Sequence, residues 1–482
     1  MPNDHLDVRP QRWMGDRRLK RQVEIEERQE MTSRANETLH TAAIVAAAAA
    51  VTVPVFLRAW ISEDAFITFR YVANVLAGYG PVFNRGEYVQ GYTHPLWFLL
   101  LCLGTMLVRD PIYVAIGFGL VFTMLTVFQL AHGLRRLDGD RSRAIVATAI
   151  ACVVLVSSES WLSFQTSALE NALAHFLIIA LLVTTIRHGT TRPGQAALLA
   201  GLLVLTRADF ALLVAPLLLL LSWRTRDRPS LLRLAAAALP VLTWVVAAWV
   251  YYGDPVPNTA YAKVGIYPSL GAAIAQGSVY FADWVAHEPF PAAAALLLYA
   301  LGVMLAKRLE ERACAAGILA YTMYVIGIGG DFMRGRMLLP IFVASTGFGA
   351  LAWAKYADKR WSSPRVAFLI CSVFGVALFA GQKVKAPPGI GMRPLGIVDE
   401  RLVYPGYHLA AYRARGYVVH PFFDFRFVQV LRRYAAACGP FTIHLPSPRD
   451  GGILGGPPGL GCGHARADGP LHREAPKNVS PQ

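Results

Sequence analysis

The chain has 482 residues, of which 55% are hydrophobic and 16% are charged, and its formal net charge is +15 at pH 7. Soluble proteins carry about 25% charged residues, so the composition excludes soluble globular, disordered, collagen-like and small disulfide-stapled proteins. Long apolar runs separated by short polar loops predict an all-α polytopic membrane protein. The surplus of cations is then expected in cytoplasmic loops, and no nucleic-acid partner is predicted.

The first 40 residues are polar, with eight Lys or Arg and eight Asp or Glu, which predicts a cytoplasmic N-terminal tail over 1–40. The first apolar run starts near Thr41, so a cleavable signal peptide is not expected. Residues 41–381 are predicted to form a transmembrane domain with about eleven crossings, since about 20 apolar residues span a bilayer. Its apolar runs lie at 41–60, 111–131, 144–160, 171–186, 196–222, 232–251, 289–306, 313–330, 337–354 and 365–381.

Two of the apolar segments differ from a simple membrane-spanning run. The run 196–222 is interrupted by Arg207 and Asp209, so we expect two short helices that meet at these charges. Residues 94–108 number only fifteen, and a run this short is predicted to lie on the outer surface without crossing. The loops then assigned to the cytoplasm carry seventeen Lys or Arg and the outer loops seven, as the positive-inside rule requires. Residues 382–482 become a small extracytoplasmic C-terminal segment.

The first outer loop, SEDAFITFRYVANVLAGYGPVFNRGEYVQGYTHPLW, is rich in polar residues. Ser62 is predicted to cap a helix that ends at 78–81, with Glu63 and Asp64 in its first turn. Carboxylates at that position stabilise the helix dipole and need no further role. The alternative is that one of them is catalytic.

Further ionisable residues lie on the same predicted face, and each has a structural alternative. Asp331, Arg334 and Arg336 stand between two apolar runs, where charges are costly and usually mark a site, unless they form an ion pair closing a turn. Lys263 follows a proline-rich turn and could instead contact a lipid headgroup. Arg207 and Asp209 could simply pair with each other.

One membrane face thus collects carboxylates, cations and aromatic residues, while the other shows basic loops. This pattern is typical of an enzyme acting on a phosphate-linked lipid, which needs cations for its headgroup and apolar walls for its tail. Phosphate-binding and hydrolase signatures such as GxxxxGK[ST], GxGxxG, HExxH and GxSxG do not occur in a usable context. Cytoplasmic nucleotide-sugar chemistry is therefore not supported.

The first outer loop resembles that of GT-C fold bacterial glycosyltransferases, and in particular that of the terminal beta-(1→2) arabinofuranosyltransferases of mycobacterial cell walls. Some members of this family carry the label flagellar motor control protein. TSALENAL, LTRADF, GDPVPNTAYAK and GGDFMRGRMLLP resemble further family landmarks in matching order. Two features depart from the family: a shorter C-terminal segment, and Glu63-Asp64 where the family often has two aspartates.

The resemblance implies a GT-C type fold and an inverting transferase that moves a sugar, with arabinofuranose favoured, from a polyprenyl-phosphate donor to a cell-envelope glycan acceptor. Asp64 matches the expected catalytic base, with Glu63 as the alternate. Since the phosphate leaving group needs only positive charge, the donor phosphate is expected to contact Lys263, Arg334 and Arg336. Substrate binding is expected at Arg70, Tyr92, His94, Asn258 and Asp331. Metal ligands are not predicted, and a divalent cation bridging the phosphate stays open.

The sequence leaves two alternative functions open. The chain could be a transporter or flippase of a lipid-linked sugar, or a non-enzymatic envelope or motility factor. A multi-pass plasma (inner) membrane protein surrounded by membrane lipids is expected, with its active site on the extracytoplasmic face. The first part of 382–482 is predicted to form a small lid, the tail beyond Ala465 to be disordered, and Cys438 and Cys462 to form a disulfide in an oxidising compartment.

Overall fold

The computed structural model describes residues 44–137, 141–263, 266–357 and 396–416, together with positions 31, 38, 41 and 42. Apart from two isolated bridges, the described ranges are helices joined by loops. The C-terminal unit 419–482 lies outside the described residues, and so do the predicted run 365–381 and the predicted Cys438–Cys462 disulfide.

The helices are numbered in chain order over the described ranges. They are α1 (Ile44–Leu57), α2 (Ala65–Leu76), α3 (Pro95–Val108), α4 (Pro111–Arg135), α5 (Arg141–Ser157), α6 (Glu159–Phe164), α7 (Asn171–His188), α8 (Pro193–Thr206), α9 (Phe210–Arg224), α10 (Arg228–Tyr252), α11 (Asn258–Lys263), α12 (Leu270–His287), α13 (Pro289–Leu305), α14 (Leu309–Gly327), α15 (Leu339–Tyr356), α16 (Glu400–Val403) and α17 (Leu409–Arg415). Short 3-10 turns lie at Gly189–Thr191, Arg336–Leu338 and Pro405–Tyr407.

Side-chain caps determine where several long helices begin. Asp110 Oδ1 accepts the N–H of Ile112 at 2.9 Å, and Asp227 Oδ2 accepts that of Ser230 at 2.9 Å. Each capped helix, α4 and α10, also has proline in its first turn, where the missing N–H would have no helical partner. The apolar helices α4 and α10 therefore begin where a polar loop residue caps them.

Four helical segments within the described ranges are long and apolar enough to cross a membrane. They are Pro111–Arg135, Asn171–Thr191, Arg228–Tyr252 and Arg336–Tyr356, and the pair α12 and α13, bent by 110°, adds a fifth if it forms one span. Shorter apolar helices, among them α1, α3, α8 and α9, accompany them. The chain is a membrane protein with several candidate spans, and the number of eleven crossings stays a prediction.

The predicted break in the run 196–222 is confirmed. α8 ends at Thr206 and α9 begins at Phe210, with Arg207 in an extended conformation between them. The run 144–160 was predicted as one helix, but α5 stops at Ser157. Ser158 then caps the separate helix α6, its Oγ accepting the N–H of Trp161 at 3.0 Å.

The short helix α3 leaves one side uncovered, with Leu103 and Leu107 among its exposed residues. That it does not cross the membrane stays a prediction. We expect a cysteine introduced by Asp140→Cys, a position outside the described residues, to react with an impermeant maleimide only after the cells are opened. The charge distribution over the loops places this position in the cytoplasm. Reaction in intact cells would contradict the topology.

Helices α7 and α15 lie at the centre of the described helices and are buried along nearly their whole length. In contrast, α10 buries only Ala237 and Ala248 among its side chains. An apolar helix with so little covered surface is stable where hydrocarbon surrounds it. Asp64, His94, Glu170, Arg207 and Arg336 of the site described below lie at helix ends or in the loops between helices.

Close helix packing makes Gly317 of α14 sensitive to substitution. A Cβ atom there would lie 1.9 Å from the carbonyl oxygen of Leu213 in α9, so Gly317→Ala must separate the two helices. We expect a clear fall in the melting temperature of the detergent-solubilised protein, because overpacking costs about 1–3 kcal/mol. Gly117→Ala in α4 is the matched control: nothing lies within 4 Å of its Cβ. Equal melting temperatures for the two variants would contradict this packing.

Residues 396–416, here called the C-terminal strap, connect two loops that are distant in sequence. The N–H of Ile61 donates to the Tyr407 carbonyl at 3.0 Å, and the N–H of Leu409 donates to that of Ala59 at 2.9 Å. At its other end the N–H of Arg334 donates to the Val398 carbonyl at 2.9 Å. The strap therefore holds the loops before α2 and before α15 beside each other.

Candidate functional site

Asp64 lies at the N-cap of α2, with 41% of its side-chain surface exposed. Its Oδ2 accepts a hydrogen bond from Arg336 Nη1 at 3.4 Å, although the two residues are 272 positions apart. Arg336, in the 3-10 turn before α15, is only 6% exposed. The structure thus brings together the predicted base and one of the predicted cations.

Glu170 is fully buried and joins the charged groups of the site. Its Oε1 accepts hydrogen bonds from Arg336 Nη2 and Arg207 Nη1, both at 3.3 Å, and its Oε2 lies 3.4 Å from His94 Nδ1. Burial by itself would raise the pKa of Glu170, but Arg336, with His94 and Arg207, outweighs burial and holds that pKa well below its usual range. Glu170 is therefore a buried carboxylate that neutralises two arginines.

The segment before Glu170 has an uncommon backbone conformation. Ala168 has φ of 65°, in the left-handed region that costs a non-glycine residue about 1–2 kcal/mol. Its carbonyl accepts the indole N–H of Trp97 at 3.0 Å, and the neighbouring Ser167 carbonyl accepts the N–H of Ser62 at 2.8 Å. Such conformations persist where surrounding contacts over-determine them and cluster at functional sites.

His94 links α2 to the buried carboxylate. Its Nε2 lies 2.8 Å from Thr68 Oγ1, and its other ring nitrogen faces Glu170. Burial lowers the pKa of His94 to about 4, an effect that Glu170 only partly opposes, so the ring is neutral at pH 7. His94, which was predicted to bind substrate, lies buried between Thr68 and Glu170.

Arg207 and Asp209 form the ion pair that the sequence suggested. Arg207 Nη2 lies 2.7 Å from Asp209 Oδ2, which also accepts the hydroxyl of Tyr321 at 3.2 Å. Because Arg207 also reaches Glu170, the break between α8 and α9 is joined to the same charged network as Asp64. The ion pair that the sequence suggested is therefore present, and through Glu170 it is connected to Arg336.

The C-terminal strap contributes two side chains to the loop that carries Glu63 and Asp64. The hydroxyl of Tyr404 donates to Glu63 Oε2, and Glu400 Oε2 accepts the hydroxyl of Ser62 at 2.8 Å. Ser62 was predicted to cap α2, but its side chain points to Glu400 and makes no cap. Burial raises the pKa of Glu400 to about 8.

The raised pKa of Glu400 predicts a pH-dependent stability. Since Glu400 stays protonated in the folded protein while the unfolded side chain ionises near its ordinary value of 4.5, stability falls as pH rises from about 4.5 to 8. Glu400→Gln removes this contribution. We expect the melting temperature of Glu400→Gln, relative to that of the wild type, to increase as the pH rises from 5 to 8. Parallel curves over this range would show that Glu400 ionises normally.

The predicted cluster of Asp331, Arg334 and Arg336 is divided. Asp331 Oδ2 lies 3.9 Å from Arg336 Nη1, so these two stay in the Asp64 neighbourhood. Arg334 points elsewhere, and its Nε donates to Asp283 Oδ2 of α12 at 2.7 Å. Asp283 also lies 3.4 Å from His287 Nδ1, one turn further along α12.

The other predicted site residues lie in two places. Arg70 of α2 donates to the Phe83 carbonyl at 2.7 Å and lines a cavity together with Glu63 and Asp64. The hydroxyl of Tyr92 lies 3.0 Å from that of Tyr252, and Asn258 is exposed, its N–H donating to the Gln90 carbonyl at 3.0 Å. Lys263 ends α11, and its side chain lies outside the described residues.

Glu63 and Asp64 line one cavity, and Glu400, the partner of Ser62, lines a second. The apolar cavity, of about 700 Å³, has Phe66, Ile67, Phe69, Phe83, Pro111 and Ile112 in its wall, with Glu63, Asp64 and Arg70 as its charged groups. The polar cavity, of about 500 Å³, is lined among others by Arg58, Glu159, Ser160, Arg334, Asp399, Glu400 and Arg401. Both volumes lie in the range of roughly 300–1,000 Å³ that is usual for ligand sites.

Several residues of this site were not predicted from the sequence. Glu170 lies in the TSALEN segment but adjoins an apolar run, and a lone carboxylate at a helix start carries no distinguishing signal. Glu400, Tyr404 and Asp283 lie in segments without a catalytic pattern. Among the residues that the structure describes, no group of three or more His, Cys, Asp or Glu side chains is placed to hold a metal ion.

The chain is similar to known proteins in both sequence and structure. The chain is 31% identical over 399 residues to the terminal beta-(1→2)-arabinofuranosyltransferase of Mycobacterium tuberculosis, a match covering 72% of this chain and 62% of that protein. It is 31% identical over 361 residues to the terminal beta-(1→2)-arabinofuranosyltransferase of Corynebacterium glutamicum, covering 66% and 51% respectively. The chain thus spans less than two thirds of the length of each relative. A family model that matches the chain was not found.

The fold resembles that of a solved membrane protein structure. The crystal structure of ArnT from Cupriavidus metallidurans, bound to undecaprenyl phosphate, superposes with a TM-score of 0.50 at 13% sequence identity, over 76% of this chain and 68% of ArnT. At this identity the likeness establishes similar helix packing. The chain is a homologue of the terminal beta-(1→2)-arabinofuranosyltransferases and a membrane protein with an ArnT-like fold of the GT-C type.

Proposed function

We propose that this protein is an inverting membrane glycosyltransferase that uses a polyprenyl-phosphate sugar as donor, with arabinofuranose as the favoured sugar. The observation that carries this proposal is the position of Asp64, a part-exposed carboxylate that lines an apolar-walled cavity and is oriented by a buried arginine. The homology to arabinofuranosyltransferases supports the sugar, and the lipid phosphate in the ArnT crystal supports the class of donor.

The apolar cavity has the chemistry that such a donor requires. Its wall of Phe66, Ile67 and Ile112 matches a polyprenyl chain, and Arg70 offers a guanidinium for the phosphate. Since the leaving group is already a phosphate, it needs positive charge and no general acid. We therefore propose that Arg70 lies nearer the donor phosphate than Arg334, which is engaged by Asp283.

Asp64 is proposed as the general base. In the transfer, an acceptor hydroxyl attacks the anomeric carbon, its proton passes to Asp64, and the bond from that carbon to the phosphate oxygen breaks with inversion. Arg336 positions the carboxylate, because its Nη1 reaches Asp64 Oδ2 while Nη2 is held by Glu170. Glu63 is held by Tyr404 and serves as the alternate base.

The proposed orientation is the one predicted from the loops, with the site on the extracytoplasmic face of the plasma membrane and a cell-envelope glycan as acceptor. Two other functions remain as rivals. A transporter of lipid-linked sugar would move its substrate between leaflets without breaking the phosphate bond. A non-enzymatic envelope factor would do neither.

The deciding experiment offers the purified full-length chain in detergent a polyprenyl-phosphate arabinofuranose together with a synthetic arabinofuranosyl acceptor. We expect a product longer by one sugar, with inverted anomeric configuration by NMR, and release of polyprenyl phosphate. A matched donor carrying a hexose tests sugar choice. Movement of intact donor across proteoliposomes without sugar transfer would favour the transporter, and neither activity with any donor would overturn the proposal.

A further inference from the structure

Glu400 connects the polar cavity to the loop 62–64, which borders the apolar cavity. Glu400 lines the polar cavity and accepts the hydroxyl of Ser62, while the next two residues of that loop, Glu63 and Asp64, line the apolar cavity. The hydrogen bond from Ser62 to Glu400 therefore joins the lining of one cavity to the loop that lines the other. Glu400 thus links the polar cavity to a residue two positions before Asp64, the proposed base.

The arginines of the polar cavity are each bonded to a carboxylate. Glu159 accepts a bond from Arg58 Nε at 2.8 Å and one from Arg401 Nη1 at 2.8 Å, and Arg334 is held by Asp283. An anionic ligand would have to displace these carboxylates from their arginines. The cavity thus differs from an anion site, in which uncommitted cations face the ligand.

Paired charges of this kind match a neutral ligand rich in hydroxyl groups. A hydroxyl donates one hydrogen bond and also accepts hydrogen bonds. Neighbouring hydroxyls of one ligand can therefore donate to the carboxyl groups of Glu159 and Asp399 while accepting from the N–H groups of Arg58 and Arg401. The rings of Trp60 and Phe290 add apolar surface to the lining. A carbohydrate has this combination of hydroxyl groups and apolar C–H faces.

We propose that the polar cavity binds the acceptor glycan, with Arg58, Glu159 and Arg401 as its hydroxyl-binding residues. The inference rests on the proposed transferase function and adds the location of its second substrate. The donor lipid then enters the apolar cavity, the glycan enters the polar cavity, and the reacting groups meet at the loop of Asp64. The C-terminal strap, which supplies Asp399, Glu400 and Arg401, forms part of the acceptor site.

The test measures glycan binding separately from catalysis. The probe is a synthetic arabinofuranosyl tetrasaccharide, titrated into the full-length detergent-solubilised chain by calorimetry, with a mannosyl tetrasaccharide for comparison. Arg58→Gln removes hydrogen-bond donors, and Ser157→Phe fills the cavity without changing its charge. The control is Arg226→Gln, on an exposed loop between α9 and α10.

We expect both cavity variants to bind the tetrasaccharide at least about tenfold more weakly than the control. Arg58→Gln loses charge-assisted hydrogen bonds to the glycan, and Ser157→Phe occupies space that the glycan needs. In the transfer assay they should raise KM for the acceptor and leave KM for the donor unchanged. Binding equal to the control in both variants overturns the assignment. So does binding of inorganic phosphate that only Arg58→Gln abolishes, because the cavity would then be an anion site.

A wrong acceptor site and a wrong transferase function give different results in these measurements. Tetrasaccharide binding that the cavity variants weaken, in a protein that transfers no sugar, would support the cavity as a glycan site and refute the transferase. Normal transfer with an unchanged acceptor KM in both variants would retain the transferase and refute the cavity.

Discussion

Asp64→Asn is expected to lower the transfer rate at least about 10²-fold, the lower range for the loss of a general base. The amide is the same size as the carboxylate, and its oxygen can still accept the bond from Arg336 Nη1. The fold and donor binding should therefore persist. The measurement is the initial rate of sugar transfer at saturating donor, with the donor affinity determined separately on the same preparation.

Glu63→Gln is the matched control for this variant, because it makes the same change at the neighbouring residue. Glu63 is engaged by the hydroxyl of Tyr404, and an amide can also accept that bond. We expect Glu63→Gln to retain more activity than Asp64→Asn. If the two rates fall in the opposite order, Glu63 is the base; near-normal turnover by both variants would exclude this loop as the source of the base.

Glu170→Gln is expected to have the largest effect on stability among the variants considered. The buried carboxylate of Glu170 neutralises Arg336 and Arg207 at 3.3 Å each, and its loss leaves two guanidinium groups without their shared counter-charge. Removing one partner of a buried ion pair costs about 3–5 kcal/mol. The melting temperature of the detergent-solubilised protein should fall by several degrees, and transfer activity should fall as well because Arg336 no longer positions Asp64.

Glu87→Gln provides the control for this stability measurement. Glu87 is an exposed glutamate that accepts a bond from Asn84 at 3.0 Å, so the same chemical change there should leave the melting temperature within about one degree of wild type, as surface substitutions usually cost less than 0.5 kcal/mol. A Glu170→Gln protein as stable as this control would show that Asp209, Asp64 and Asp331 suffice to neutralise the two arginines.

The hydropathy of the sequence determined the class of protein and many of its helices. Apolar length is a local property, because any segment that a bilayer surrounds must satisfy its own backbone hydrogen bonds. The break at Arg207 and Asp209 was predictable for the same reason, since two charges cannot continue an apolar run without partners. The end of α5 at Ser157 was missed, because a serine cap interrupts a helix without changing its hydropathy.

The candidate site was predictable in part, and only the tertiary structure decided the rest. Polar landmarks marked Asp64 and Arg336, but their contact across 272 residues depends on how α2 and α15 pack. Arg334, two residues away, looked equivalent in sequence and yet pairs with Asp283. The long-range packing of helices determines which carboxylate an arginine contacts. Composition and spacing along the chain do not reveal that packing.

Glu170 and Glu400 show most clearly that the sequence alone does not reveal which residues a carboxylate contacts. Each is a single carboxylate in an unremarkable local context, and each acquires its importance from groups brought to it by distant parts of the fold. Glu170 receives Arg207 and Arg336 from two other helix ends, and Glu400 reaches Ser62 from 338 residues further along the chain. Burial without those partners would be prohibitively costly, so their positions follow from the folded arrangement and from nothing local.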